Sequence, residues 1–161
     1  MGHDFSQDGG RRFFCNYNGR KFFLTSHRFY SNDKFDNEST KLILHTFSSF
    51  HGANFTFENN EHGEFTFYYK DDADGMRNWM LYIYKQSDID YFTPMFHKNK
   101  CSMFALENSD NNSVYIRETK YNVYLYLNEA KKRDINSYYV GASPDKNKAT
   151  KFNYIDIIKN N

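Results

Sequence analysis

Polar and apolar residues alternate with a period of two along most of this chain, as in Glu64-Phe65-Thr66-Phe67-Tyr68-Tyr69, Met80-Leu81-Tyr82-Ile83-Tyr84 and Val123-Tyr124-Leu125-Tyr126-Leu127. That period predicts half-buried β-strands, because successive side chains of a strand point to opposite faces. Turn chemistry separates the strands at Asn16-Tyr17-Asn18-Gly19, at Asn59-Asn60 with Gly63, at Asp74-Gly75 and at Asp110-Asn111-Asn112. Gly and Asn tolerate the left-handed backbone that tight hairpins need. One segment, Asn128-Glu129-Ala130-Lys131-Lys132-Arg133, predicts a single helical turn, and residues 1–11, with Gly9-Gly10, predict a disordered leader.

The strand pattern repeats. Ser102-Met103-Phe104-Ala105-Leu106 aligns with Thr150-Lys151-Phe152-Asn153-Tyr154, and each is headed by Lys-Asn-Lys, at Lys98-Asn99-Lys100 and Lys146-Asn147-Lys148. Upstream, Pro94 and Pro144 fall at similar predicted loop positions, and Asp88-Ile89-Asp90-Tyr91-Phe92 echoes Asp134-Ile135-Asn136-Ser137-Tyr138-Tyr139. The first third carries a weaker copy through Phe22-Phe23-Leu24, Leu42-Ile43-Leu44 and Phe55-Thr56-Phe57. Phe55 to Phe104 is 49 residues and Phe104 to Phe152 is 48, so three units of about four strands each are expected, over residues 12–60, 61–110 and 111–161. Three blades are fewer than propellers use, which leaves a closed barrel.

These features resemble the β-trefoil superfamily, most closely in Val114-Tyr115-Ile116, Tyr124-Leu125-Tyr126, Tyr139-Val140-Gly141-Ala142-Ser143 and Ala149-Thr150-Lys151-Phe152, whose cadence is similar to lectin-type and fascin-type trefoils. The resemblance implies a single all-β domain over residues 12–161, with three pseudo-symmetric four-strand repeats forming a six-stranded barrel capped by a hairpin triplet. The Gln-x-Trp signature of ricin-type lectins is missing, since neither Gln7 nor Gln86 has a Trp two residues on. The expected core comprises Leu24, Leu44, Phe55, Phe57, Phe67, Leu81, Ile83, Phe104, Leu106, Ile116, Leu125 and Phe152.

Composition agrees with an aromatic β-core. Phe (17), Tyr (14) and Trp (1) outnumber the 18 Val, Ile and Leu residues, and aromatic side chains favour strands. With 21 Lys and Arg against 20 Asp and Glu, the formal charge of +1 argues against a polyanion-tracking nucleic-acid binder. No apolar run approaches the ~20 residues of a membrane-spanning helix. The first residues lack the apolar stretch of a signal peptide, so a soluble, cytoplasmic protein is expected. Cys15 and Cys101 read as two buried thiols rather than a disulfide. The Asn-x-Ser/Thr triplets at Asn37, Asn54 and Asn111 reflect Asn-rich composition.

No catalytic motif stands out: His-Glu-x-x-His, Cys-x-x-Cys, a Gly-rich phosphate loop and Gly-x-Ser-x-Gly are all missing. His3, His27, His45, His51, His62 and His97 are scattered, with no metal-ligand spacing. The carboxylates at Asp71-Asp72 with Asp74, and at Asp88 with Asp90, read as turn formers. Neither a catalytic residue, a metal nor a cofactor is assigned.

The expectation is a non-enzymatic binding protein with shallow carbohydrate sites built on the repeated polar-aromatic segments: Asp88, Asp90 and Tyr91 in one repeat, Asp134, Asn136 and Tyr138 in another. Carboxylates and amides exchange hydrogen bonds with sugar hydroxyls, and an aromatic face packs on the C–H side of a pyranose. In the competing reading of these segments, Asp and Asn form turns while Ile89 and Ile135 plug the core. Other expectations involve a protein partner. His97, Lys98 and Lys100 with Lys146 and Lys148 would present basic loops to a filament such as actin, and the excursion His27–Thr40, with Phe29, Tyr30 and Phe35, would serve a protease inhibitor or cytokine-like ligand.

Overall fold

Tight turns with left-handed backbone break the chain into strands. Asn18 (φ 51°) and Gly19 (φ 74°) link the first hairpin, Gly75 (64°) and Met76 (62°) a second, and Asn111 (55°) and Asn112 (62°) a third; paired positive φ values match the right-handed twist of flanking strands. The computed structural model describes residues 11–30, 37–46, 54–59 as backbone, 63–71 and 75–156. The strands are β1 (Arg11–Tyr17), β2 (Arg20–Ser26), β3 (Ser39–His45), β4 (Asn54–Asn59), β5 (Phe65–Asp71), β6 (Arg77–Lys85), β7 (Phe92–His97), β8 (Phe104–Asn108), β9 (Val114–Glu118), β10 (Val123–Asp134), β11 (Ser137–Ser143) and β12 (Asn153–Asp156), with 3-10 turns at His27–Tyr30 and Lys146–Lys148.

All twelve strands join one antiparallel sheet that closes on itself. A circuit of eight strands, β5–β6–β7–β3–β11–β10–β9–β8, returns to its start through pairings such as Phe65 with Phe104, Thr40 with Phe96 and Tyr138 with Leu44. The other strands extend it, with β1 pairing β2, β4 and β12, β2 pairing β3, and β4 pairing β5. The β-trefoil expectation is corrected on this point. Its six-strand ring would close between β9 and β12, where the pairing found among the described residues is an isolated bridge, Val114 with Phe152, outside β12 itself. The architecture is an all-β closed barrel with additional strands.

Aromatic rings share the core with aliphatic side chains. Phe13, Phe96, Phe104, Phe152 and Trp79 are fully buried; Phe67 meets Phe104 edge-on at 5.2 Å and Phe13 at 5.6 Å, and Tyr69 meets Phe96 at 4.9 Å. Such geometry suits the ring quadrupoles. Of the expected core, Leu24, Leu44, Phe67, Leu81, Ile83, Phe104, Ile116, Leu125 and Phe152 are buried and Leu106 packs partly against them. Phe55 and Phe57 have side chains outside the described set. Between Leu24, Leu42, Phe67, Leu81, Phe96 and Ile116 a void of only about 10 Å³ remains, at the lower limit for one water. Among these residues the interior is packed core rather than a ligand cavity.

A buried ion pair crosses this core's edge. Arg28 Nε donates to Asp71 Oδ2 at 2.5 Å, with the two side chains 5% and 2% exposed, and the guanidinium sits 5.1 Å from the Trp79 ring centre. Asp71, expected as a turn former, is thus a core residue. Three further expectations are corrected. Residues 128–133 form no helical turn but lie within β10, where register slips between Leu127, opposite Val140, and Lys132, opposite Tyr138. Pro94 is buried in β7 rather than placed in a loop. Cys101 is exposed; burial applies to Cys15 alone, whose thiol it pushes up to about 12. Among the described residues no helix is long and apolar enough to cross a membrane.

Packing this close leaves little room to relax around a truncated ring. Phe104→Ala should cost about 3–5 kcal/mol in a urea titration; a loss below about 1 kcal/mol would show that the ring is not a core element. Burial also lowers the imidazole pKa values of His45 and His97 from 6.5. Arg133 and Arg20 add to the effect at His45 against Asp134, and Lys100 adds to it at His97 against Glu38. His97 Nδ1 accepts from Asn99 N, as a neutral ring can. Because the unfolded chain then takes up protons first, their contribution is fully present above about pH 6.5 and declines as pH falls towards the lowered folded values. Melting temperature should drop between about pH 7.5 and about pH 5.5, and drop less in the His45→Gln/His97→Gln double variant.

Candidate functional site

Each of β3, β7 and β11 pairs with the other two, which no flat sheet allows. Every one of them must change partner along its length. On β3, Lys41 still faces Met95 of β7, whereas Ile43 faces Tyr139 of β11. On β7 the change falls between Phe92, opposite Ala142, and Met95; on β11 it falls between Tyr139 and Ala142. The residues at these changes are Leu42, Thr93, Pro94, Val140 and Gly141, and all five line one groove of about 540 Å³. Pro94 suits such a position, since it has no N–H to offer a ladder.

Around that junction stand Tyr91, Tyr126 and Tyr139, with Asp90, Asn128, Ser143, Pro144 and four lysines, Lys41, Lys131, Lys132 and Lys148. Register explains Tyr126. It lies directly opposite Gly141, and a Cβ added at Gly141 would stand 2.6 Å from its Oη and 2.7 Å from Cε1. Only glycine lets the ring lie across the strand and wall the groove. The irregular stretch of β10 after Leu127 brings Asn128 and Lys131 to the rim. Lys131 Nζ donates to Tyr91 Oη at 3.0 Å, a bond that raises the lysine's pKa, and Lys41 Nζ stands 4.8 Å from the Tyr139 ring centre. A second depression of about 300 Å³ adjoins the groove across Lys41, Thr93 and Tyr139.

The six residues expected to bind ligand divide between two places. Asp90 and Tyr91 line the groove, with Tyr91 46% exposed. Asp88 lies exposed in the same connection, which is closed by Gln86 N donating to Tyr91 O, and it does not line the groove. Asp134 is occupied as a turn former. Its Oδ1 accepts from Asn136 N at 2.8 Å and Ser137 Oγ at 2.9 Å, and Arg133 pairs with Oδ2; burial works against ionisation, but these partners outweigh it and lower the pKa. Asn136 Oδ1 accepts from Arg20 at 2.8 Å, and Tyr138 wedges edge-on against Tyr17 and Phe22, both at 5.5 Å. Ile89 and Ile135 do not plug the core, being 53% and 71% exposed.

The other expected surfaces disperse too. Lys98 lies over Trp79 and Lys100 over Tyr82, Lys146 bonds Glu107 at 3.2 Å, and Lys148 alone of the two Lys-Asn-Lys segments reaches the groove. In the first-repeat excursion, Phe29 packs 5.0 Å from Tyr69 and Tyr30 stacks on His45 at 4.1 Å, so neither is a projecting anchor; Phe35 lies outside the described residues. Among the described residues no group of three or more His, Cys, Asp and Glu could hold a metal. The residues that sequence reasoning did not single out are Lys41, Tyr126, Asn128, Lys131, Lys132 and Tyr139. Only Gly141 opposite Tyr126 in an alternating hairpin carried a local signal for any of them.

A scan against protein-family models and a search of the curated proteins both return no match for this chain.

The division of roles is testable on stability alone. Asp134→Ala should destabilise by about 1 kcal/mol or more by removing acceptors from two donors and a partner from Arg133. Asp90→Ala should stay within about 0.5 kcal/mol of the parent. Equal losses in chemical denaturation would show that Asp90 is as structural as Asp134.

Proposed function

We propose that this protein binds carbohydrate, without turnover, in the groove at the junction of β3, β7 and β11. The observation that carries this reading is the convergence of Tyr91, Tyr126 and Tyr139 on one groove that also holds Asp90. Tyrosine rings offer flat apolar faces to sugar C–H groups, while Asp90 and the tyrosine hydroxyls offer hydrogen-bond partners to sugar hydroxyls. The Asp90 side chain makes no hydrogen bond among the described residues, so its acceptor capacity is available to a ligand. A groove of this size falls in the range that holds small ligands, and its openness to solvent suits a ligand that stays partly hydrated. One site of this kind gives dissociation constants near the millimolar level, about −4 kcal/mol, so strength would come from multivalent display.

A glycan array with the purified protein tests the reading. Binding is expected, and the Tyr91→Ala/Asp90→Ala double variant should lose it with an unchanged melting temperature. Gly141→Ala should weaken it at least about tenfold, because the displaced Tyr126 ring reshapes the groove wall. An array silent across neutral and charged glycans at high protein density would overturn the reading.

A further inference from the structure

The groove is far more basic than the chain that carries it. Four lysines line it against one carboxylate, Asp90, a local surplus of 4 − 1 = 3 positive charges on a chain of net charge +1. They come from three separate elements: Lys41 from β3, Lys131 and Lys132 from β10, and Lys148 from the 3-10 turn before β12. None of the four lies within ion-pair distance of a carboxylate among the described residues. Some cations elsewhere on the surface have such partners, in Arg117 and Lys146 with Glu107, Lys151 with Asp110, and Arg133 with Asp134, and what sets these four apart is that they converge on one concave surface. The contrast is sharpest within one turn, where Lys146 is paired and Lys148 faces the groove. Crowding unneutralised like charges around a concave surface costs stability unless counter-charge arrives.

Resting on the carbohydrate reading, we infer that the groove selects a saccharide bearing sulfate, carboxylate or phosphate groups, with the lysines meeting those groups and Asp90 accepting from a hydroxyl. Asp90 decides between a sugar and a bare polyanion. A ligand made only of anionic groups gains nothing from a carboxylate among the lysines and is repelled by it, whereas a hydroxylated anion uses both. Tyr91 and Tyr139 orient two of the ammonium groups, Lys131 by the 3.0 Å hydrogen bond and Lys41 by lying over the ring. Those lysines are therefore held in place before a ligand enters. The adjoining depression beyond Lys41 and Tyr139 gives a second sugar unit somewhere to lie.

Titration calorimetry with three probes tests the inference: a heparin-derived tetrasaccharide, its neutral counterpart made by desulfation, re-N-acetylation and carboxyl reduction, and inositol hexakisphosphate. The sulfated sugar should bind at least about tenfold more tightly than the neutral one, with a preference that shrinks as salt rises. The Lys132→Gln/Lys148→Gln variant, which alters only exposed side chains, should keep the parent melting temperature and lose that preference. Equal binding of charged and neutral sugars, abolished by Tyr91→Ala/Asp90→Ala, would overturn the charge inference and leave the carbohydrate reading standing. Binding of inositol hexakisphosphate that strengthens in Asp90→Asn, with both sugars silent, would overturn both in favour of a plain polyanion site.

Discussion

Mutual pairing of β3, β7 and β11 is the constraint on which the rest of the structure depends. Three antiparallel strands can each pair with both others only if every one changes partner partway along, and that requirement bends the sheet shut. The closure places the aromatic faces of the surrounding strands inside, where Phe67 meets Phe104 and Tyr69 meets Phe96 edge to face and Trp79 stacks parallel to Tyr69. Aromatic residues suit such an interior because each buries a large area with few rotatable bonds, and this chain has few aliphatic residues to use in their place.

The same constraint generates the groove. Where strands exchange partners they diverge, and side chains that would otherwise alternate cleanly in and out come to surround an opening. Residues of β3, β7 and β11 line it together with Tyr91 and Tyr126, and Gly141 admits the Tyr126 ring against the sheet. A groove whose base lies on paired strands is held more rigidly than one carried by long loops alone. Its charge has a different origin. Four lysines near one another without carboxylate partners stand out on a protein whose acidic and basic residues almost balance.

Several polar groups buried at the edge of the core have partners. Arg28 and Asp71 are taken out of water together, and Tyr69 Oη donates to Ser26 Oγ at 2.9 Å beside them. Removing one member of a buried ion pair costs much more than an exposed pair contributes, so Asp71 anchors the segment after β2 to the end of β5. Asp134, Asn136 and Arg20 do the same at the surface between β10 and β11, which is why that connection is ordered by its own hydrogen bonds and has none to spare for a ligand.

What the sequence alone determined is local: strand type from period-two alternation, hairpin positions from Asn18-Gly19, Gly75 and Asn111-Asn112, and part of the core from apolar residues on the alternating faces, such as Leu44, Phe67, Phe104 and Phe152. These depend on backbone sterics and on which side of a strand a residue occupies, properties carried by neighbours in the chain. Partner choice was not legible. The near-equal spacing of Phe55, Phe104 and Phe152 predicts recurring units but not which strand edges meet, and the contacts that close the barrel join residues far apart, such as Leu44 with Tyr138. For the same reason two of the six expected residues, Asp90 and Tyr91, line the groove and the other four do not. Asp90 and Tyr91 could be marked as a polar-aromatic pair, and so could Asn136 and Tyr138; only the tertiary structure set the first pair beside Lys41, Tyr126 and Lys148, and turned the second towards Arg20, Tyr17 and Phe22, because similar local chemistry comes to line a groove or to hold a turn according to what long-range pairing brings against it.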